Sequence, residues 1–166
     1  MKQEVVQEEI KKCYLFKDNL KKIINNYDKI IILGNGGSSS IASHITQDYT
    51  KKMKKTSFTF SDPSRLTCYA NDYGYENAYK EFLSEFATKD TLVVLISSSG
   101  NSQNMLNCAD WCEEEDIKTI IMTGFDMDNK LRTKKMNNRL INYWVDSKDY
   151  GIVECVHMIF LHMVVE

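Results

Sequence analysis

Residues 30 to 48 read Ile30-Ile31-Ile32-Leu33, then Gly34-Asn35-Gly36-Gly37-Ser38-Ser39-Ser40, then Ile41-Ala42-Ser43-His44-Ile45-Thr46-Gln47-Asp48. Four apolar, mostly β-branched residues have the pattern of a buried strand, and the glycines after them mark a tight turn. A helix follows, which Ser38, Ser39 or Ser40 can cap. Free N–H groups and the positive end of the helix dipole make such a turn a site for an anion, most simply a phosphate. His44 and Asp48 are four apart on this helix and share a face, the spacing at which an imidazole and a carboxylate can hold one metal ion or pass one proton. Gly34-x-Gly36-x-x-Ser39 lacks the third glycine of a dinucleotide fingerprint, and no Gly-Lys-Ser or Gly-Lys-Thr follows to make a P-loop.

With 166 residues, 43% hydrophobic and 27% charged, the chain reads as one soluble domain with a substantial core. A net charge of −2 leaves no global basic footprint, so nucleic acid is not an expected partner. Lys51, Lys52, Lys54 and Lys55 form the densest basic patch and read as a solvated helix end whose cations complement the dipole. Five cysteines without a C-x-x-C pair look like reduced core thiols of a cytoplasmic protein. Cys108 and Cys112 are four apart on a predicted helix, but no second Cys/His pair lies near them. No signal peptide is visible, and no apolar run approaches the roughly 18 residues a membrane span needs.

Outward from the first motif, residues 4 to 27 carry Val6, Ile10, Cys13, Tyr14, Leu20, Ile23, Ile24 and Tyr27 at helical spacing. This helix precedes the first strand and is expected to pack on the domain or on a neighbouring subunit. Ser57 to Phe60 reads as a short strand, and Asp62-Pro63, with the only proline, starts a new turn or helix. Cys68 to Tyr75 reads as a polar, aromatic loop, either a helix end closed by Gly74 or a segment that brings Asn71 and Asp72 to a ligand. A helix over 76–88 leads into a second buried strand, Thr91 to Ile96. That strand delivers Ser97-Ser98-Ser99-Gly100-Asn101-Ser102 into a turn that opens another helix. One cap needs one serine, and here four cluster. Lys118 to Thr123 and Leu140 to Val145 read as further strands, and Gly151 to Glu166 as an apolar helix carrying Glu154, His157 and His162. The alternation predicts an α/β protein with a parallel sheet covered on both faces and ligands at the carboxyl ends of its strands. His157 reads as a core histidine. Glu154 and His162 are eight apart, about 12 Å along a helix, so one chain cannot easily bring both to one ion.

Gly34-Asn35-Gly36-Gly37-Ser38 with His44 and Asp48, Asn71-Asp72-Tyr73-Gly74-Tyr75, Ser97-Ser98-Ser99-Gly100-Asn101-Ser102, and Glu154-x-x-His157-x4-His162 resemble, in order, the motifs of the phosphoheptose isomerases of the SIS (sugar isomerase) domain family. The resemblance spans nearly the whole chain. It implies a single SIS domain over 1–166, a three-layer αβα sandwich with a five-stranded parallel sheet and an extra N-terminal helix over 1–28. It implies a homotetramer with active sites at subunit interfaces, one zinc per subunit, and conversion of sedoheptulose 7-phosphate to D-glycero-D-manno-heptose 7-phosphate for bacterial surface polysaccharide. Carried over residue by residue, the metal ligands are His44, Asp48, Glu154 and His162. The substrate is held by Asn35, Gly36, Gly37, Ser38, Asp48, Asn71, Asp72, Ser97, Ser98, Ser99, Ser102 and Glu154. Isomerisation through an enediol needs a base and an acid, which the resemblance assigns to Asp48 and His162. The family has Glu where Asp48 stands and Gln where Glu154 stands. These two departures keep open an isomerase of another sugar phosphate. A non-catalytic SIS protein that binds a replication initiator is the other alternative, and a pure scaffold has no physical need for His44, Asp48, Glu154 and His162.

Overall fold

The computed structural model describes residues 2–165. In chain order its elements are α1 (Lys2–Asn25), β1 (Lys29–Gly34), α2 (Gly37–Met53), β2 (Thr56–Phe58), α3 (Pro63–Tyr73), α4 (Tyr75–Phe86), β3 (Thr91–Ser97), α5 (Gln103–Glu114), β4 (Thr119–Thr123), α6 (Lys130–Thr133), β5 (Arg139–Trp144) and α7 (Tyr150–His162). The β-branched runs of β1, β3 and β4 are buried almost throughout, as strands covered on both faces must be. All pairings are parallel, in the order β2-β1-β3-β4-β5.

Alternate strand residues separate two cores. Ile30, Ile32, Val94, Ile96 and Met122 face α1, α2 and α7, while Ile31, Leu33, Val93, Leu95 and Ile121 face α4 and α5. The result is the three-layer αβα sandwich. α1 lies on its own sheet through Cys13, Leu20 and Ile24, with Phe16 edge-on to Tyr143 and Phe160, and leaves Tyr14 and Leu15 exposed. The described residues contain no helix long and apolar enough to cross a membrane.

Several sequence expectations change. Cys68 to Tyr73 is the second half of α3, which starts at Pro63 with Asp62 accepting the N–H of Arg65 at 2.8 Å and closes at Gly74, φ 78°, so the reading as a helix end closed by Gly74 holds and the loop reading does not. The predicted strand over 57–60 is Thr56–Phe58, and Phe60 leaves the sheet to stack on Phe82 at 4.5 Å. The single turn of α6 is too short for periodicity to reveal. α7 ends at His162, and residue 166, the predicted end of that helix, lies outside the described residues.

His157 is buried completely, and its Nε2–H donates to the carbonyl of Thr123 at 3.1 Å. Nδ1 has no partner. Burial disfavours the imidazolium and pushes the pKa of His157 down to about 4. The unfolded chain takes up this proton near pH 6.5, so the stabilisation is complete above that pH and is lost as pH falls from 6.5 toward 4. Denaturant unfolding should therefore show a loss of about 3 kcal/mol across this window, and His157→Leu should flatten it. An unchanged pH profile in that variant contradicts the assignment.

Candidate active site

The strand order fixes where a ligand can sit. From β1 the chain crosses to β2 on one side of the sheet, and from β3 to β4 on the other, while β1 and β3 pair with Gly34 opposite Ile96. The turns after these two strands therefore lie side by side at the carboxyl edge, with no crossover between them. Gly34 permits the tight exit from β1, since a Cβ there would stand 2.6 Å from Cβ of Ser38 and 3.0 Å from the carbonyl oxygen of Ile96.

The two turns and the start of α7 enclose a cavity of about 240 Å³ lined by Asn35, Gly36, Gly37, Ser38, Ser97, Ser98, Ser99, Ser102, Tyr150 and Glu154. Both helices that open here lack a side-chain cap. The N-cap of α2 is Gly36, φ 53°, rather than any of the three serines expected there, and the N-cap of α5 is Ser102, whose hydroxyl makes no cap bond. By contrast α3, α6 and α7 are capped by Asp62, Asn129 and Asp149. Uncapped helix ends facing a cavity leave N–H donors for an anion. Ser98 adds a buried hydroxyl without a partner among the described residues, while Ser97 and Ser99 accept N–H bonds from Gly100 and Asn101 at 3.2 and 3.3 Å. Nine of the residues predicted to hold substrate meet here, and Asp48, Asn71 and Asp72 do not line the cavity. Asn71 and Asp72 sit exposed near the end of α3, where Asn71 donates to Asp72 at 3.0 Å.

Two contributors had no sequence signal. Asn104 exchanges amide bonds with Asn35 at 2.8 and 2.9 Å and ties the first turn to α5, with Tyr75 donating to the same Asn35 oxygen at 2.9 Å. Tyr150 stands at the cavity mouth, edge-on to Phe125 at 4.7 Å.

Two turns further along α2 is a second centre. His44, Asp48 and His162 bring one donor atom each to within 4.8 Å of one another. His162 Nε2 is 3.1 Å and His44 Nε2 3.7 Å from Oδ2 of Asp48, and Lys52 Nζ is 3.3 Å from the same oxygen. Two imidazoles and a carboxylate fit zinc, and three protein ligands with one position open is the pattern of a catalytic site. Glu154, the fourth predicted ligand, is not in this cluster; its carboxylate lies against Gly37 in the cavity wall.

Burial pushes the carboxyl pKa of Asp48 up, but hydrogen bonds from His162 and Lys52 and the charges of Lys52 and His44 outweigh it and hold the pKa below its ordinary 3.8. The carboxylate thus adds stability above that pH, lost as pH falls through the lowered value.

The sequence profile of the SIS domain matches residues 1–124. The chain belongs to the SIS domain family. Within that family it is 30% identical over 165 residues to the phosphoheptose isomerase of Fusobacterium nucleatum, covering 96% of this chain and 82% of the relative. With the phosphoheptose isomerase of Aliarcobacter butzleri it shares 33% over 148 residues, 85% of this chain and 75% of the other. Its fold matches that of phosphoheptose isomerase GmhA from Neisseria gonorrhoeae with a TM-score of 0.82 at 24% identity, covering 99% of this chain and 89% of the other. The resemblance read from the four SIS motifs is thereby borne out.

Lys52→Ala removes one hydrogen bond and the nearest full charge from Asp48, and should raise the pKa of that carboxyl in a carbon-detected NMR titration. No shift would show that Lys52 does not act on it.

Proposed function

We propose that this protein is a phosphosugar isomerase, a single SIS domain over residues 1–166, that converts sedoheptulose 7-phosphate to D-glycero-D-manno-heptose 7-phosphate. Its product would feed the nucleotide-activated heptose of a bacterial surface polysaccharide, lipopolysaccharide or capsule, from the cytoplasm. The observation that carries this reading is the convergence of two uncapped helix N-termini and the unpartnered hydroxyl of Ser98 on one cavity. Relatives named phosphoheptose isomerase support it.

The phosphate would lie between the Gly36-Gly37 and Ser97-Ser99 turns. From Gly37 to His44 the axis of α2 rises about 10 Å, comparable to the reach of an extended heptose from its phosphate to C1. The reacting end of the sugar then meets Asp48 and His162. Asp48, ionised near neutrality, would take the proton from C1 at Oδ2, and His162, joined to that oxygen, would carry protons to and from the sugar oxygens through Nε2. Zinc, one per subunit, would be held by His44, Asp48 and His162 and would supply an electrophile for the sugar's carbonyl oxygen; a lone pair on the ion is closed to a proton, so metal binding and proton transfer would compete for Asp48 and His162. Glu154 of a given chain lies about 12 Å from His162 along α7, so as a fourth ligand it would serve the cluster of a neighbouring copy. That supports a homotetramer with active sites at subunit contacts. Asn71 and Asp72, exposed on α3, would reach substrate only in such an assembly.

Zinc content and sedoheptulose 7-phosphate turnover, measured on one sample before and after chelation, test the reading. Stoichiometric zinc and chelator-sensitive isomerisation are expected, and His162→Ala should lower turnover by about 10²–10⁴-fold with its circular dichroism unchanged. Wild-type turnover in that variant removes His162 from the mechanism. Zinc without turnover points to another ketose phosphate.

A further inference from the structure

A carboxamide beside an anion must turn its N–H groups, not its oxygen, toward the ligand, although its two ends have nearly the same shape. Asn35 lines the cavity between the two turns, and what fixes its orientation lies outside that cavity. The backbone N–H of Met105, which can only donate, lies 3.1 Å from Oδ1 of Asn104. This contact sets the amide of Asn104, a residue 2% exposed, with Nδ2 toward Asn35. Asn104 then donates to Oδ1 of Asn35 at 2.8 Å and accepts from Nδ2 of Asn35 at 2.9 Å. The hydroxyl of Tyr75 donates to the same Asn35 oxygen at 2.9 Å. Two donors thus occupy that oxygen and one N–H is spent on Asn104, while the second N–H of Asn35 Nδ2 has no partner among the described residues.

Both orienting groups stand on fixed elements. Tyr75 begins α4 directly after Gly74, and four residues on, the hydroxyl of Tyr79 donates to the carbonyl of Gly34 at 3.4 Å, so α4 holds the exit of β1 at two points. Asn107 of α5 donates to the carbonyl of Glu76 at 2.8 Å and to Oδ1 of Asn77 at 3.1 Å, which joins α5 to α4.

We propose that Asn104 and Tyr75 are positioning residues that lock the Asn35 carboxamide with its remaining N–H toward the ligand anion. Neither lines the cavity, and each acts through Asn35. The proposal rests on the sugar phosphate reading of the cavity and adds the groups that set the polarity of one of its walls. With the lock released, the amide can turn its oxygen to the anion and exchange an attraction for a repulsion.

Isothermal titration of the full-length protein with glucitol 6-phosphate, an open-chain polyol phosphate with no carbonyl to isomerise, tests the proposal. Tyr75→Phe keeps the ring and removes one donor, and should weaken binding about threefold; Asn104→Ala should weaken it about tenfold, both with circular dichroism unchanged. In an Asn35→Ala background neither substitution should cost anything further. In turnover the same factors should appear in KM for sedoheptulose 7-phosphate, with kcat within about twofold of wild type, because the phosphate end does not react. Folded variants that bind as tightly as wild type, losses that persist in the Asn35→Ala background, or losses that fall on kcat instead of KM overturn the proposal and leave the phosphate cavity intact. If Asn104→Ala does not fold, Tyr75→Phe decides through the same cycle. A wild type that binds no glucitol 6-phosphate overturns the phosphate reading and this proposal with it. Binding is the deciding readout, so absence of sedoheptulose 7-phosphate turnover bears on the reaction alone.

Discussion

The pairing of β1 with β3, from which the chain departs in opposite directions, is the constraint on which the rest of the structure depends. Each parallel strand must be followed by a crossover, and here the two crossovers diverge toward β2 and β4. What remains between them is an open crevice where α2 and α5 begin. Its walls are backbone, so its chemistry is set by which residues allow the chain to come close. Gly34 has no room for a Cβ, Gly36 adopts positive φ, and Gly37 has the Glu154 carboxylate where a side chain would go. Serine fills the second turn, and Asn104 locks the two turns together through Asn35.

From this crevice α2 extends as a rigid ruler, with α7 packed beside it. Gly37 meets Glu154 at one end, and Asp48 meets His162 two to three turns later. An anion site and a cluster of metal donors are thereby held at a separation set by helix rise rather than by loops. The inward face of α2, which includes Ile41, Ala42, Ile45 and Tyr49, anchors this spacing in the core, and the hydroxyl of Tyr49 donates to the carbonyl of Leu161 at 2.9 Å, next to His162. The charges differ between the ends. Asp48 has His44, His162 and Lys52 around it, while among the described residues Glu154 has no ion pair.

Much of this was legible in the chain because the signals are local. Apolar β-branched runs mark the central strands, Ser/Gly turns follow β1 and β3, and the spacing of four between His44 and Asp48 places both on one helix face. At the end of α3 the helix end closed by Gly74 was one of two readings and is the one that holds, while the loop-like composition of Cys68 to Tyr73 hid the length of a helix that Asp62-Pro63 had already announced. Serine at three consecutive positions suggested a serine cap on α2, whereas the glycine before them takes the positive φ the turn needs. Asn104 and Tyr150 gave no signal, since an amide within a helix and a tyrosine at a helix start acquire meaning only when tertiary packing brings another segment to them. Glu154 was grouped with the metal ligands by resemblance, and the helix rise that separates it from His162 within one chain was the local fact pointing elsewhere.

The central claim is that the crevice between β1 and β3 receives the phosphate and that α2 carries the sugar from there to Asp48. A crystal structure of the His162→Ala protein soaked with sedoheptulose 7-phosphate tests it most directly. The account predicts phosphorus between the Gly36-Gly37 and Ser97-Ser99 turns, with C1 of the sugar toward Asp48. Phosphate bound elsewhere, for example on the lysines at the end of α2, with the crevice empty, would contradict it.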